Sequence, residues 1–167
     1  MQLTHYTTNF KKQNHPITLV CDNISNAPNI GSLFRIADVF GITELVFCGE
    51  NISLGRRITK TSRSTEKYVK HHVEPNIETL IKNLKAKKEY LIALEITENS
   101  IELSNFKLET NQPIILILGD ENFGISPTIL ELCDATVHIN MYGNNSSMNV
   151  AQATSIALYE LTKQLNS

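Results

Sequence analysis

A run of five aliphatic residues, Ile114 to Leu118, constrains the fold of this chain more than any other feature. Alternate residues of a strand face opposite sides of a sheet, so an unbroken apolar run must be covered on both faces. Four other stretches favour strands, and helical patterns separate most of them. They are Ile17 to Cys21, Glu44 to Cys48, Tyr90 to Glu95 and Ala135 to Asn140. This alternation predicts an α/β fold, with a mainly parallel sheet and helices on both faces.

Helical periodicity fills the intervals between these strands. The pattern predicts a helix from Pro28 to Phe40 that Gly41 ends, and another from Asn76 to Lys87. A short helix follows with Ser126 as its N-cap, and a last one begins at about Asn149. The helices therefore connect the strands in the manner of a parallel sheet.

Composition indicates a globular protein, since 41% of the residues are hydrophobic and 19% are charged. No repeat or linker divides the chain, so we predict one domain over residues 1–167, with residues 1–15 as an N-terminal extension. The first residues lack the apolar stretch of a signal peptide, and no apolar run is long enough to cross a bilayer. Three scattered cysteines without CxxC spacing are typical of reduced thiols. We expect a cytoplasmic protein without a metal site or membrane association.

One basic segment stands out in a chain whose formal net charge is −2. Between Gly55 and His72, six lysines and arginines accompany a single acidic residue, Glu66. The six are Arg56, Arg57, Lys60, Arg63, Lys67 and Lys70. Charge alone leaves two interpretations open, a solvated surface or a local phosphate-contacting patch on an otherwise neutral protein.

Three segments at the ends of predicted strands are rich in glycine, serine and asparagine, namely residues 21–35, 118–126 and 139–153. In open α/β sheets, ligands bind at the carboxyl ends of the strands. The glycine loops GxGxxG and GxxxxGK[ST] are missing from the sequence, which disfavours a Rossmann dehydrogenase and a P-loop NTPase. A GxSxG nucleophile elbow is missing as well. A nucleotide ligand would therefore need a different kind of site.

Taken in order, the three segments resemble the three motifs of the SpoU/TrmH family of RNA 2'-O-ribose methyltransferases, part of the SPOUT class. Asn29 to Asp38 is similar to N-x-G-x-x-x-R-x-A, and Ile117 to Ser126 is similar to L-G-x-E-x-x-G-[IL]. Ile139 to Ala153 is similar to I-P-M-x-G followed by S-[LM]-N-V-x-x-A. The resemblance extends over residues 17–163, essentially the whole chain.

The resemblance implies an S-adenosylmethionine-dependent enzyme that methylates a ribose 2'-hydroxyl of RNA. We expect tRNA rather than rRNA as the substrate because the domain is nearly minimal. An rRNA methyltransferase and a catalytically silent RNA-binding module of the same fold remain alternatives. The resemblance also implies a homodimer and a C-terminal deep trefoil knot, although knots are otherwise almost absent from proteins.

The resemblance also assigns roles to individual residues. The catalytic residues are Arg35, Asn29, Glu121, Ser147 and Asn149. The cofactor-binding residues are Leu94, Gly119, Ile139, Met148, Met141 and Ser147. The RNA-binding residues are Arg56, Arg57, Lys60, Arg63 and Lys67. The role of Arg35 stays open between base and phosphate clamp, since a guanidinium normally remains protonated. Asn29, Ser147 and Asn149 are also suited to helix capping.

Overall fold

A seven-stranded parallel sheet forms the centre of the computed structural model, which describes residues 8–50 and 52–167 and, for Arg56 and Arg57, the backbone alone. The strands are β1 (His15–Asp22), β2 (Ile42–Cys48), β3 (His71–Glu74), β4 (Tyr90–Leu94), β5 (Ile101–Glu102), β6 (Ile114–Leu118) and β7 (Ala135–His138). Their order in the sheet is β3-β2-β1-β6-β4-β7-β5, and neighbouring strands are parallel. The carboxyl ends of all seven therefore meet at one edge.

Five α-helices are described, together with a 3-10 turn at Thr65–Lys67. They are α1 (Ala27–Phe40), α2 (Arg56–Ser62), α3 (Ile77–Ala86), α4 (Pro127–Leu132) and α5 (Val150–Leu165). Asparagine side chains cap three of them: Asn26 on α1, Asn76 on α3 and Asn149 on α5. Gly41 ends α1 in the left-handed conformation, with φ 57°, as glycine does without steric cost.

Helices cover both faces of the sheet. On one face, Leu116 of β6 packs in a core with residues of α1, α2 and α5. On the other face, Ile115 and Ile117 pack with Ile81 of α3 and Ile129 of α4. All five residues of β6 are at most 1% exposed. Burial of each such side chain contributes about 1.5–3 kcal/mol, so the central strand anchors both layers.

The predicted fold class, a mainly parallel α/β sheet with helices on both faces, is confirmed. All five predicted strands form, although Glu95, Ile139 and Asn140 lie just beyond the ends of the strands to which they were assigned. Strands β3 and β5 and helix α2 were missed. β3 and β5 lie at the two edges of the sheet and carry polar residues, so neither shows the apolar run of a central strand.

Residues 8–14 belong to no helix or strand, so β1 begins at the end of the predicted extension, whose residues 1–7 lie outside the described part. Among the described residues, no helix is long and apolar enough to cross a membrane. Nor does this part of the chain place three or more His, Cys, Asp or Glu residues where they could hold a metal ion.

Candidate functional site

The three motif segments meet at the carboxyl edge of the sheet because β1, β6, β4 and β7 are neighbours there. Residues 23–29 follow β1, residues 119–125 follow β6, and residues 139–149 follow β7. A hydrogen bond of 3.1 Å from Asn23 Nδ2 to Asp120 Oδ2 ties the first segment to the second. Strand order thus assembles parts of the chain that lie about a hundred residues apart.

A hydrogen-bonded triad of Asn29, Glu121 and Asn149 contains one residue from each segment. The side-chain amide of Asn29 donates to Glu121 Oε1. Asn149 Nδ2 donates to Asn29 Oδ1 at 3.0 Å. Asn29 is 8% exposed, so its two polar ends are satisfied by these protein partners. Because N-capping of α1 is done by Asn26, Asn29 is available for the triad.

Asn149 performs two tasks with the two ends of one amide. Its Oδ1 accepts hydrogen bonds from the backbone N–H groups of Ala151 and Gln152, at 3.0 and 3.4 Å, and so caps α5. Its Nδ2 donates to Asn29. An aspartate could cap the helix equally well but could not donate. The N-terminus of α5 and the triad are therefore fixed together.

The loop after β6 is held in one tight conformation. Asp120 Oδ1 accepts hydrogen bonds from the backbone N–H groups of Asn122 and Phe123, at 2.7 and 3.0 Å. Gly124 adopts a positive φ of 66°, which favours glycine. A Cβ at Gly119 would lie 2.6 Å from the carbonyl carbon of Gly124, so only glycine fits there as well.

Glu95 is a residue of this site that the sequence did not reveal. It directly follows β4, and its Oε2 accepts a hydrogen bond of 3.0 Å from the backbone N–H of Ile125. A Cβ at Gly124 would come within 2.5 Å of the same oxygen. Glu95 therefore holds the loop after β6 in place from the end of the neighbouring strand β4. An acidic residue at the end of the apolar stretch Tyr90 to Leu94 was the available signal.

A cleft of about 720 Å³ opens between the loops that follow β4 and β6 and the start of α5. Four predicted cofactor-binding residues line it: Leu94, Gly119, Ser147 and Met148. The other two, Ile139 and Met141, line an adjoining recess of about 110 Å³ that shares Leu94, Ser147 and Met148. The fold therefore brings all six positions into one continuous region. Glu121 and Asn149 also line the larger cleft.

Arg35 lies away from this cleft. Six residues along a helix correspond to a rotation of about 240°, so Arg35 and Asn29 face different directions from α1. Arg35 is exposed and lines a shallow depression of about 270 Å³ with Val39 of α1 and Ser155 of α5. One chain thus assembles Asn29, Glu121, Ser147 and Asn149, and leaves Arg35 on its outer surface.

The basic segment packs beside the first turn of α1. Thr61 Oγ1 donates to the backbone oxygen of Ala27 at 3.3 Å, and a Cβ at Gly31 would clash with Thr61. α2 is thereby held close to Asn29. Three predicted RNA-binding residues, Lys60, Arg63 and Lys67, are exposed. The side chains of the other two, Arg56 and Arg57, lie outside the described part of the structure.

Burial perturbs several acidic groups beneath this edge. Desolvation raises the pKa of Asp22, at the end of β1, and the neighbouring carboxylate of Asp120 raises it further. Burial also raises the pKa of the Cys48 thiol to about 12, with Asp22 and Glu74 adding to the effect. The carboxylates near Asp22 and Cys48 therefore favour the neutral forms of both groups at the ends of β1 and β2.

Comparison with known proteins identifies the family. The family model described as "SpoU rRNA Methylase family" matches residues 16–159. A tRNA (guanosine(18)-2'-O)-methyltransferase from Aquifex aeolicus is 28% identical over 158 residues, which cover 92% of this chain and 72% of the relative. A 23S rRNA (guanosine-2'-O-)-methyltransferase from Ralstonia nicotianae is 25% identical over 150 residues, covering 89% of this chain and 59% of the relative.

The fold has solved counterparts as well. The SpoU methyltransferase AviRb from Streptomyces viridochromogenes, solved in complex with the cofactor AdoMet, matches with a TM-score of 0.79 and 26% identity. That match covers 89% of this chain and 60% of AviRb. The chain therefore spans about 60% of two of these three proteins. The family predicted from the three motifs is confirmed, and the chain belongs to the SpoU rRNA Methylase family.

Proposed function

We propose that this protein transfers a methyl group from S-adenosylmethionine to a ribose 2'-hydroxyl of RNA. The observation that carries the proposal is the triad of Asn29, Glu121 and Asn149, which joins all three motif segments at the lip of one cleft. Polar groups fixed before substrate binding lose little freedom during the reaction, which is how a site gains from orientation.

The cleft fits the proposed cofactor. Its volume of about 720 Å³ lies within the range of small-molecule sites. Leu94, Gly119 and Met148 would hold the cofactor, with Gly119 allowing close approach to the backbone. When bound, S-adenosylmethionine supplies an activated methyl group, whose transfer breaks a carbon–sulfur bond, forms a carbon–oxygen bond and releases the proton of the hydroxyl. The AdoMet complex of the similar enzyme AviRb supports this assignment.

Glu121 and Ser147 would orient the ribose. Both residues line the cleft, and Asn29 holds the Glu121 carboxylate in place. Either side chain can accept a hydrogen bond from the 2'-hydroxyl and so direct its oxygen towards the methyl group. We assign Arg35 the role of a phosphate clamp, because a guanidinium keeps its proton and binds phosphate oxygens in a bidentate manner.

A homodimer would bring Arg35 to a site. The outer faces of α1 and α5 expose apolar side chains: Val39 is 76% exposed and lines the depression beside Arg35, and Tyr159 of α5 is 65% exposed. Exposed apolar faces of this kind are commonly buried against a second copy of the same chain. In a two-fold dimer through this face, Arg35 of one protomer would reach towards the triad of its partner.

RNA would approach along α2. Exposed Lys60, Arg63 and Lys67 can contact phosphates, and α2 lies beside the turn that carries Asn29. We favour tRNA as the substrate because the Aquifex relative is a tRNA (guanosine(18)-2'-O)-methyltransferase. The Ralstonia relative keeps rRNA as the alternative.

We also propose that the C-terminal part of the chain forms a deep trefoil knot. Residues 147–149 line the cleft together with residues 95–97 and 119–125, and α5 beyond them packs against α1. A knot would result if the chain after β7 threads between those two loops. Pulling the unfolded chain from both ends tests this, since a knot shortens its extended length below about 3.3–3.6 Å per residue.

The proposed function is tested by calorimetry and by mapping ribose methylation. We expect the purified protein to bind S-adenosylmethionine, and to transfer labelled methyl groups to one ribose of total tRNA from cells lacking the gene. Transfer to rRNA alone would select the alternative substrate. Retained RNA affinity without any methyl transfer would identify a silent binding module, and no binding at millimolar cofactor would refute the cofactor assignment.

A further inference from the structure

Phe123 presents a bare aromatic ring to solvent at the lip of the cleft. The residue is 87% exposed, although a phenylalanine is among the side chains most often buried. It lines the same cleft as Glu121, Ser147 and Asn149. A ring in this position contributes little to the core, so packing does not account for it.

The backbone beneath this ring is fixed on both sides. The N–H group of Phe123 donates to Asp120 Oδ1 at 3.0 Å. On its other side, Gly124 N donates to the backbone oxygen of Asp120 at 2.9 Å, and Ile125 N donates to Glu95 Oε2 at 3.0 Å. The side chain of Ile125 is buried in the core. The ring therefore projects from a rigid support, which reduces the entropy lost when a ligand contacts it.

A nucleobase is the ligand whose chemistry suits this ring. If a ribose lies at the triad, its base is attached to C1', the carbon next to the one that carries the 2'-hydroxyl. Glu121 and Phe123 are two residues apart on the same loop and line the same cleft, so a ribose held by Glu121 would bring its base within reach of the ring. Single-stranded RNA is commonly recognised by stacking unpaired bases on aromatic side chains.

We propose that Phe123 stacks on the base of the nucleotide whose ribose is methylated. This inference rests on the proposed function and adds a substrate-binding residue to it. Phenylalanine has no polar atom with which to distinguish one base from another, so its contact supplies affinity and orientation. Selection among bases must come from other groups.

The experiment compares two RNA substrates once the methylated nucleotide has been mapped. One is the natural sequence, and the other keeps the target ribose but replaces its base with hydrogen. On the natural RNA, Phe123→Ala should lower kcat/KM by roughly 5- to 150-fold, the range of base–aromatic stacking, mainly by raising KM. On the abasic RNA, wild type and Phe123→Ala should be equal. Phe123→Trp should restore activity on the natural RNA.

Phe10→Ala is the matched control, because Phe10 is also 87% exposed but precedes β1, at the opposite end of that strand from the cleft. It should behave as wild type. Equal kcat/KM for wild type and Phe123→Ala on natural RNA would overturn the inference. So would an equal loss on both RNAs, or a matching loss of cofactor affinity, since the ring would then act elsewhere. If wild type transfers no methyl group to any RNA, the proposed function itself fails.

Discussion

Gly119→Ala tests how tightly the loop after β6 is built. The added Cβ would lie 2.6 Å from the carbonyl carbon of Gly124 and 2.8 Å from the backbone nitrogen of Ile125. An ordinary Cβ contact is 3.4–4 Å, so the backbone at residues 124–125 would have to retreat by most of an ångström. The hydrogen bond from Ile125 to Glu95, 3.0 Å long, lies in the path of that movement.

The expected cost follows from these two effects. Overpacking of this kind costs about 1–3 kcal/mol, and losing a hydrogen bond to a charged acceptor costs about 1.5–3 kcal/mol. The backbone can relax partly, which lowers the overpacking cost while lengthening the hydrogen bond, so the two costs do not add in full. We expect the free energy of unfolding to fall by about 2–4 kcal/mol. For a domain of this size, the Tm should fall by roughly 5–15 °C. Because Gly119 lines the cleft, affinity for S-adenosylmethionine should fall too.

Differential scanning calorimetry and isothermal titration calorimetry measure the two quantities. Gly143→Ala is the control, since a Cβ there meets nothing within 4 Å. It should leave the Tm within about 1 °C of wild type, as surface substitutions usually do. If the Gly119→Ala protein has the same Tm as the Gly143→Ala protein and binds the cofactor with wild-type affinity, this account of the loop is refuted.

Three further predictions concern the catalytic groups and the buried thiols. Arg35→Ala should abolish methyl transfer yet change the Tm by at most a few degrees, because Arg35 is exposed; near-normal turnover would exclude its catalytic role. Asn149→Asp keeps the cap on α5 but loses the donor to Asn29, whose buried Oδ1 is left without its partner, so transfer should fall at least tenfold and the free energy of unfolding by about 1–3 kcal/mol; Asn149→Ala, which also loses the cap, should cost about 1 kcal/mol more. The fold raises the pKa of Cys48 from 9.0 to about 12, so the unfolded thiol ionises first. The stability that Cys48 contributes should be complete below pH 9 and be lost as pH rises from 9 towards 12. In a urea-denaturation series, Cys48→Ala should remove part of this decline, since burial also raises the pKa values of Cys21 and Cys133.

The sequence predicted the interior of the sheet better than its edges. Ile114 to Leu118 must be covered on both faces, and this requirement alone specifies a central strand. Strand β3, His71–Glu74, contains two histidines and a glutamate, because an edge strand is partly solvated. Its residues therefore looked like the end of the basic segment. The two residues of β5 are too few to produce any pattern.

At the site, motif order predicted which segments converge but not which side chains touch. Hydrogen bonds among Asn29, Glu121 and Asn149 depend on strand order, since β6 inserts between β1 and β4. Glu95 was missed for the same reason: its partner, the N–H of Ile125, lies thirty residues further along the chain. Side-chain direction on α1 decided the placement of Arg35, and a motif does not record direction.

Because Arg35 lies away from the triad of its own chain, we predict that it acts at the triad of the partner protomer. A single variant cannot test this prediction. If Arg35 serves the partner's triad, Arg35→Ala and Asn149→Asp each inactivate both sites of a homodimer. A heterodimer of the two variants would combine both defects in one site and leave the other intact. Co-expressed with two affinity tags and purified through both, such a heterodimer should show about half the wild-type rate.

If Arg35 instead acts at its own triad, the heterodimer should have a different rate. If Arg35 acts within its own chain, each site of the heterodimer carries one defect, and its activity should be no higher than that of the single variants. The same sample must be confirmed as dimeric by light scattering, with Val39→Asp as a variant designed to dissociate the exposed face of α1. Because Arg35 and Asn29 project in different directions from one rigid helix, we expect the rate of about one half, with the active site completed by the second protomer.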